Sequence, residues 1–220
     1  MSIPGSIRNF LRRISRSEGA VDRSSVREHF EALYRKEDPF GRVGDPEEER
    51  KRNKTLATIA GARFRHVLEI GCGEGLLAEL LTQRAEHLTV VDLSERALER
   101  ARKRLAGKPN VRIERLDVVT EELPGSFDLI VCSETLVYLR RGELDVVRDK
   151  IIAALAPEGH LLLVHSRSIH DDDSGLTDKD FGARTVHGTF LATGKMSERM
   201  DAKFATYRIT LLQKENAAAL

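Results

Sequence analysis

The chain has 220 residues, 40% of them hydrophobic and 32% charged, with 36 basic side chains against 35 acidic ones. That composition fits one compact, well-cored domain and excludes a low-complexity or disordered chain; the missing basic excess argues against a protein built to grip a nucleic-acid backbone. Two cysteines, Cys72 and Cys132, make neither a disulfide framework nor a zinc cluster and predict a cytoplasmic setting. No run reaches the roughly 18 apolar residues of a membrane span.

In chain order, Ile3, Ile7, Phe10, Leu11 and Ile14 recur at helical spacing between arginines. This predicts a basic amphipathic helix folded back over the main domain. Residues 1–65 hold 15 basic and 10 acidic side chains, so the positive charge gathers at this end. A helical pattern around Val26–Tyr34 is followed by the polar break Asp38–Pro46 and a charged helix from Pro46 to about Ala60. Asp45 is its expected N-cap.

From Arg65 the texture alternates. Strand His66–Ile70 leads to a helix over 75–84, strand Leu88–Asp92, and helix Glu95–Leu105. Strand Val111–Glu114, strand Phe127–Cys132, helix Leu144–Leu155 and strand His160–His165 follow. Strands separated by helices of about ten residues imply a doubly wound α/β fold with a largely parallel sheet. Thr185–Thr193 reads as helix, Ser197–Lys203 as a polar connection or short strand, and Phe204–Gln213 as a terminal strand. The expected organisation is a helical cap or lid over 1–64, a core over 65–213 and a flexible tail over 214–220.

The stretch Val67-Leu68-Glu69-Ile70-Gly71-Cys72-Gly73-Glu74-Gly75 carries the most chemistry. Residues without Cβ at a strand-to-helix turn let a ligand approach the backbone. Position 76 is Leu, so the dinucleotide spacing G-x-G-x-x-G is broken and a nicotinamide cofactor is disfavoured. Asp92, followed by Leu93, ends the second strand, where a carboxylate can accept both hydroxyls of a ribose. Asp117, followed by Val118, ends the third and can accept from an adenine amino group. Together they describe a nucleoside site at the mouth of an open sheet.

With E-I-G-C-G-E-G, V-V-D-L-S and R-L-D-V in this order, the chain resembles the seven-stranded class I S-adenosylmethionine-dependent methyltransferases from about Arg65 to Gln213. The resemblance implies a seven-stranded doubly wound sheet whose last strand is antiparallel. It implies S-adenosylmethionine as cofactor, with Glu69 orienting the glycine loop or the methionine ammonium. Gly71, Cys72 and Gly73 would line the methionine portion, Asp92 would hold the ribose, and Asp117 with Val118 would frame adenine. Gly75 and Ser133 complete the expected cofactor set. His29-Phe30 through Tyr34, Asp38-Pro39-Phe40, Ser133-Glu134, Val137-Tyr138-Leu139 and Val186-His187 are similar to the nodulation-type N-methyltransferases. Those enzymes methylate an amino group on a deacetylated chitin-like oligosaccharide.

The carboxyl ends of the strands also gather candidates for the acceptor chemistry. Glu134 is expected to hold a substrate ammonium or take its proton, Tyr138 to lie one turn beyond it, and His165 to act as general base. His187 would face the same cleft, while Tyr34 and Phe40 close over the cofactor. Asp171–Asp173 reads as a solvated loop rather than a metal site. The expected function is methylation of a small amine or amino sugar on nitrogen, in which no metal takes part. O-methylation of a small metabolite, RNA methylation and a non-catalytic cofactor-binding protein are the alternatives.

Overall fold

The structure, a computed structural model, describes residues 22–167 and 182–216. The N-terminal amphipathic pattern, the Asp171–Asp173 run and the end of the predicted tail lie outside the described residues. Among the described residues no helix is long and apolar enough to cross a membrane.

Among the described residues two helices, α1 (Arg23–Leu33) and α2 (Pro46–Thr58), precede the sheet. Asp22 caps α1 by accepting from the Ser24 amide, and Asp45 caps α2 by accepting from the Glu47 and Glu48 amides, with Pro46 opening that helix. Next come β1 (Phe64–Ile70), α3 (Leu76–Leu81), β2 (Ala85–Asp92), α4 (Glu95–Arg104), β3 (Val111–Arg115) and β4 (Phe127–Ser133). A single 3-10 turn, Leu136–Tyr138, leads to α5 (Arg141–Ala154), β5 (Leu155–Ser166), α6 (Ala183–Leu191), β6 (Met196–Lys203) and β7 (Tyr207–Lys214).

The seven strands lie in the order β3-β2-β1-β4-β5-β7-β6. All pairs from β3 to β5 are parallel, and β7 runs antiparallel to both of its neighbours. Alternation along the strands splits the core in two. Leu68, Ile130 and Leu163 pack against α5 and α6 on one face, while Val67, Leu129 and Val164 pack against α3 and α4 on the other. The strand order reverses between β1 and β4, which opens a crevice at their carboxyl ends.

Several elements differ from the sequence-based expectation. Helix α5 begins at Arg141 rather than Leu144, because the Glu143 carboxylate reaches back to accept from the Arg140 amide. Leu155, expected as its last residue, already pairs with Phe127, and β5 bulges before His160 resumes the register opposite Leu129. The terminal strand starts at Tyr207 because Phe204–Thr206 form a tight reversal from β6, closed by the Phe204 amide donating to the Tyr207 carbonyl. The polar segment after α6 is therefore a full edge strand.

Candidate active site

The glycine turn leaves β1 with Gly71, Gly73 and Gly75 all at positive φ (72°, 55° and 79°). At Gly71 a Cβ would fall 2.2 Å from Thr135 Oγ1, and at Gly73 it would fall 2.8 Å from the Tyr34 hydroxyl. Thr135 in turn donates to the Ile70 carbonyl at 3.0 Å, locking the turns after β1 and β4 together. Three consecutive amides of the turn are committed within the chain. Gly71 and Cys72 donate to Val91 O, and Gly73 donates to Asp92 Oδ2 at 2.9 Å.

A cavity of about 150 Å³ sits over this turn, walled on the far side by α1, the 38–45 loop and α2. Glu69 opens into it. The side chain is buried, its Oε2 has no hydrogen-bond partner, and burial with Asp92 nearby pushes its carboxyl up to about 8. Asp92 accepts one backbone amide on each oxygen, from Gly73 and from Ser94, which leaves lone-pair sites on both. Burial raises its carboxyl as well. Asp117 is held differently. Arg23, in the first turn of α1, donates to both of its oxygens at 2.8 Å and also to Glu143 at 3.2 Å.

The other end of the cavity is built from α2 and the β4–β5 loops. Glu134 is one of two non-glycine residues at positive φ among those described, at 54°, a strained conformation for a side chain with a Cβ. Its carboxylate accepts from Lys51 Nζ at 3.0 Å, from Ser166 Oγ at 2.8 Å and from the Ser166 amide at 3.1 Å. Burial would raise its carboxyl, but Lys51 and Arg42 outweigh that and hold it at about 2. Lys51 also donates to Glu48 at 2.8 Å. The Arg42 guanidinium lies over the Phe40 ring, 4.8 Å from its centroid, and its charge acts on the Tyr138 phenol. Burial pushes that phenol up to about 12.

Residues 67–159 match the family described as a methyltransferase domain. Nodulation protein S of Rhizobium tropici is 30% identical over 152 residues, which span 67% of this chain and 64% of that protein. The crystal structure of the N-methyltransferase NodS from Bradyrhizobium japonicum WM9, in complex with S-adenosyl-L-homocysteine, superimposes with a TM-score of 0.75 at 25% identity. It covers 86% of this chain and 98% of that one. The chain belongs to the class I S-adenosylmethionine-dependent methyltransferases. The ubiquinone biosynthesis O-methyltransferase of Paracidovorax citrulli is also similar, 33% identical over 85 residues, or 37% of this chain and 36% of that protein. The chain spans about half the length of the nodulation proteins S of Sinorhizobium fredii and Bradyrhizobium diazoefficiens, 54% and 48%.

S-adenosylmethionine, the methyltransferase cofactor, fits the residues present. It combines an ammonium, a carboxylate, a ribose and an adenine. The unpartnered Glu69 oxygen matches the ammonium, and the open lone pairs of Asp92 match the ribose hydroxyls.

The structure brings most of the expected cofactor residues to one cavity. Glu69, Gly71, Cys72, Gly73, Asp92, Leu93, Asp117, Val118, Ser133, Tyr34 and Phe40 all line it, as do Glu134 and Tyr138. Gly75 stands apart from the lining; it is the left-handed N-cap of α3 and packs on Ala101 and Leu105. His165 and His187 are not brought to the cavity either. Both are fully buried behind it, bonded to each other at 3.0 Å. Burial holds His165 down at about 4 and His187 well below the ordinary value.

Sequence reasoning missed Lys51, Glu48, Arg42, Arg23 and Thr135. Glu48, Lys51 and Thr55 fall on one buried face of α2, but the run Glu47–Lys54 is charged or polar at every position. Periodicity therefore marks no face.

Proposed function

We propose that this protein transfers a methyl group from S-adenosylmethionine to a small molecule, and that the acceptor atom is the nitrogen of an amine or amino sugar. The observation that carries the cofactor half is the buried, unpartnered Glu69 oxygen beside the open glycine turn. The amine half is supported by the similarity to the N-methyltransferase NodS and by the condition of Glu134.

When bound, S-adenosylmethionine supplies a methyl group activated by a sulfonium. This chain then has to bind, orient and exclude water, and alignment of reactants alone can contribute about 7–11 kcal/mol. Glu69 receives the ammonium and Asp92 the ribose hydroxyls. The amides of Gly71, Cys72 and Gly73 are already committed, and the side chains suited to the methionine carboxylate are Arg42 and Arg52. Both line the cavity, and neither has a carboxylate within ion-pair distance among the described residues.

Glu134 uses three of its four lone-pair sites internally and keeps one on Oε2 for an acceptor N–H. Held at about 2, it orients the amine but does not deprotonate it at neutral pH. His165, buried and outside the lining, does not supply a base either. The amine accordingly reacts in its neutral form, losing its proton to solvent before it is aligned. A hydroxyl acceptor needs a base near neutral pH, and none of Glu134, Tyr138 and His165 meets that need. The described part of the N-terminal segment, residues 22–64, acts as the cap over the described core, with Tyr34 and Phe40 shielding the reacting atoms from water. The setting is cytoplasmic, in keeping with two buried, unpaired cysteines.

The test is incubation with methyl-labelled S-adenosylmethionine and paired acceptors, amino sugars beside their N-acetylated forms and small phenols or alcohols. Label should enter the free amines alone, with a rate that climbs through each amine's own pKa. Equal labelling of acetylated forms would replace this reading with O-methylation, and tight binding of NAD in place of S-adenosylhomocysteine would remove it.

A further inference from the structure

Behind the cavity, four side chains from four elements form one line of hydrogen bonds that methyl transfer does not use. The Leu136 amide donates to His165 Nε2 at 3.4 Å, and His165 Nδ1 lies 3.0 Å from His187 Nε2. His187 Nδ1 lies 2.7 Å from Thr210 Oγ1, which donates to Asp201 Oδ1 at 2.9 Å. His165, His187 and Thr210 have no exposed surface.

The two ends fix the direction of the line. A backbone amide only donates and an ionised carboxylate only accepts. His165 Nε2 must therefore be bare and its proton must sit on Nδ1. The same logic puts the His187 proton on Nδ1 and points the Thr210 hydroxyl at Asp201. With neutral rings this is the one assignment in which every link holds a single proton.

What the line holds is the turn after β4. Leu136 opens the 3-10 turn that ends in Tyr138, two residues after the strained Glu134. Ser166 grips the Glu134 carboxylate, and its neighbour His165 grips the Leu136 amide. Consecutive residues of β5 thus pin both parts of one turn. We infer that His165 is a positioning residue whose bare Nε2 anchors the Glu134–Tyr138 turn, and that the line through His187 and Thr210 to Asp201 at the sheet edge fixes the tautomer this requires.

The inference rests on reading that turn as the acceptor side of the site. The charges facing the rings are Glu134 and Lys51 at His165 and Arg208 at His187. Burial is the larger influence at both and keeps them neutral. A protonated His165 would set an N–H against the Leu136 N–H.

Ring-nitrogen NMR of the ¹⁵N-labelled full chain tests this without any acceptor. Both histidines should show the Nδ1–H form, and His165 should not titrate above its depressed value of about 4. Thr210→Val should disturb both ring signals and speed exchange of the Leu136 amide roughly fivefold, the equivalent of one neutral hydrogen bond. Val131 at the sheet centre should be unchanged, and Thr210→Ser should restore the pattern. An Nε2-protonated His165, a His165 that titrates near neutrality, or a Leu136 rate that is unmoved or moves only together with Val131 would overturn it. The wild-type spectrum decides even if Thr210→Val does not fold. Calorimetry with S-adenosylhomocysteine separates the two readings, because failure to bind it removes the methyltransferase function and leaves the ring spectra as they are.

Discussion

The two ends of the cavity treat their charges in opposite ways. At the glycine turn, Glu69 is buried with one oxygen unpartnered, Asp92 is half-buried with a lone pair open on each oxygen, and both carboxyls are pushed upward. At the far end, Glu134 is equally buried yet bonded to Lys51 and Ser166 and pushed down to about 2. The first arrangement is costly until a cation and hydroxyl donors arrive, so it serves ligand recognition. The second is satisfied before any ligand comes, so it serves to hold a shape. A buried carboxylate therefore does not by itself mark a binding group; what distinguishes the two is whether the chain supplies its partners.

The largest effect that would sharpen this contrast is expected at Lys51. Lys51→Met strands two carboxylates, and breaking a buried ion pair from one side costs about 3–5 kcal/mol. Thermal or denaturant unfolding should show that loss, and Lys51→Met with Glu134→Gln should recover part of it. The pH dependence follows from the depressed Glu134 carboxyl. In the unfolded chain it titrates near 4.5, so its stabilisation is fully present above that value and is lost as pH falls through about 2. In Lys51→Met the acid loss should begin at higher pH.

At the opposite end, Asp92→Ala should leave the fold standing but weaken S-adenosylhomocysteine by about 3 kcal/mol, or more than a hundredfold, through two lost charge-assisted bonds. Unchanged affinity in a titration would remove Asp92 from the site and erase the contrast there.

Glu69→Gln should weaken the same ligand about tenfold, the worth of one charge-assisted bond, and also change its proton balance. Glu69 is protonated in the ligand-free protein below about 8 and ionises against an ammonium. Binding to the wild type should therefore release a proton, and affinity should rise with pH toward about 8. Calorimetry in buffers of different ionisation heat should show that release, and its loss in Glu69→Gln. The raised value also means that the folded, ligand-free chain binds more protons than the unfolded one between 4.5 and about 8. Its stability from this group falls as pH rises through that window.

The smallest effect is expected in the covering segment. Hydrogen exchange over residues 26–45 should slow a few-fold when S-adenosylhomocysteine is added, because Tyr34 and Phe40 wall the cavity and lids order on ligand binding. Equal protection with and without ligand would make this wall a fixed one.

Much of the cofactor end was legible because its signals are local. Gly71, Gly73 and Asp92 follow strands whose apolar run is plain in the sequence, Asp117 follows the alternating strand Val111–Arg115, and the fold places such ends side by side. Asp117 shows the limit of that reasoning. Its position at the cavity was readable, but Arg23, 94 residues away, takes both of its oxygens. His165 shows it again, since a histidine at a strand end can face the cleft or the space behind it, and alternation alone does not say which.

The sequence by itself determined the α/β alternation, the glycine turn and the order of the carboxylates along it, because hydrophobic period and backbone freedom act over a few residues. Only the tertiary structure decided which carboxylates stay unpartnered. Lys51 reaches Glu134 across 83 positions, and Leu136, His165, His187 and Thr210 are joined through four separate elements. Charge state and tautomer follow from burial and from distant partners, which no local pattern encodes.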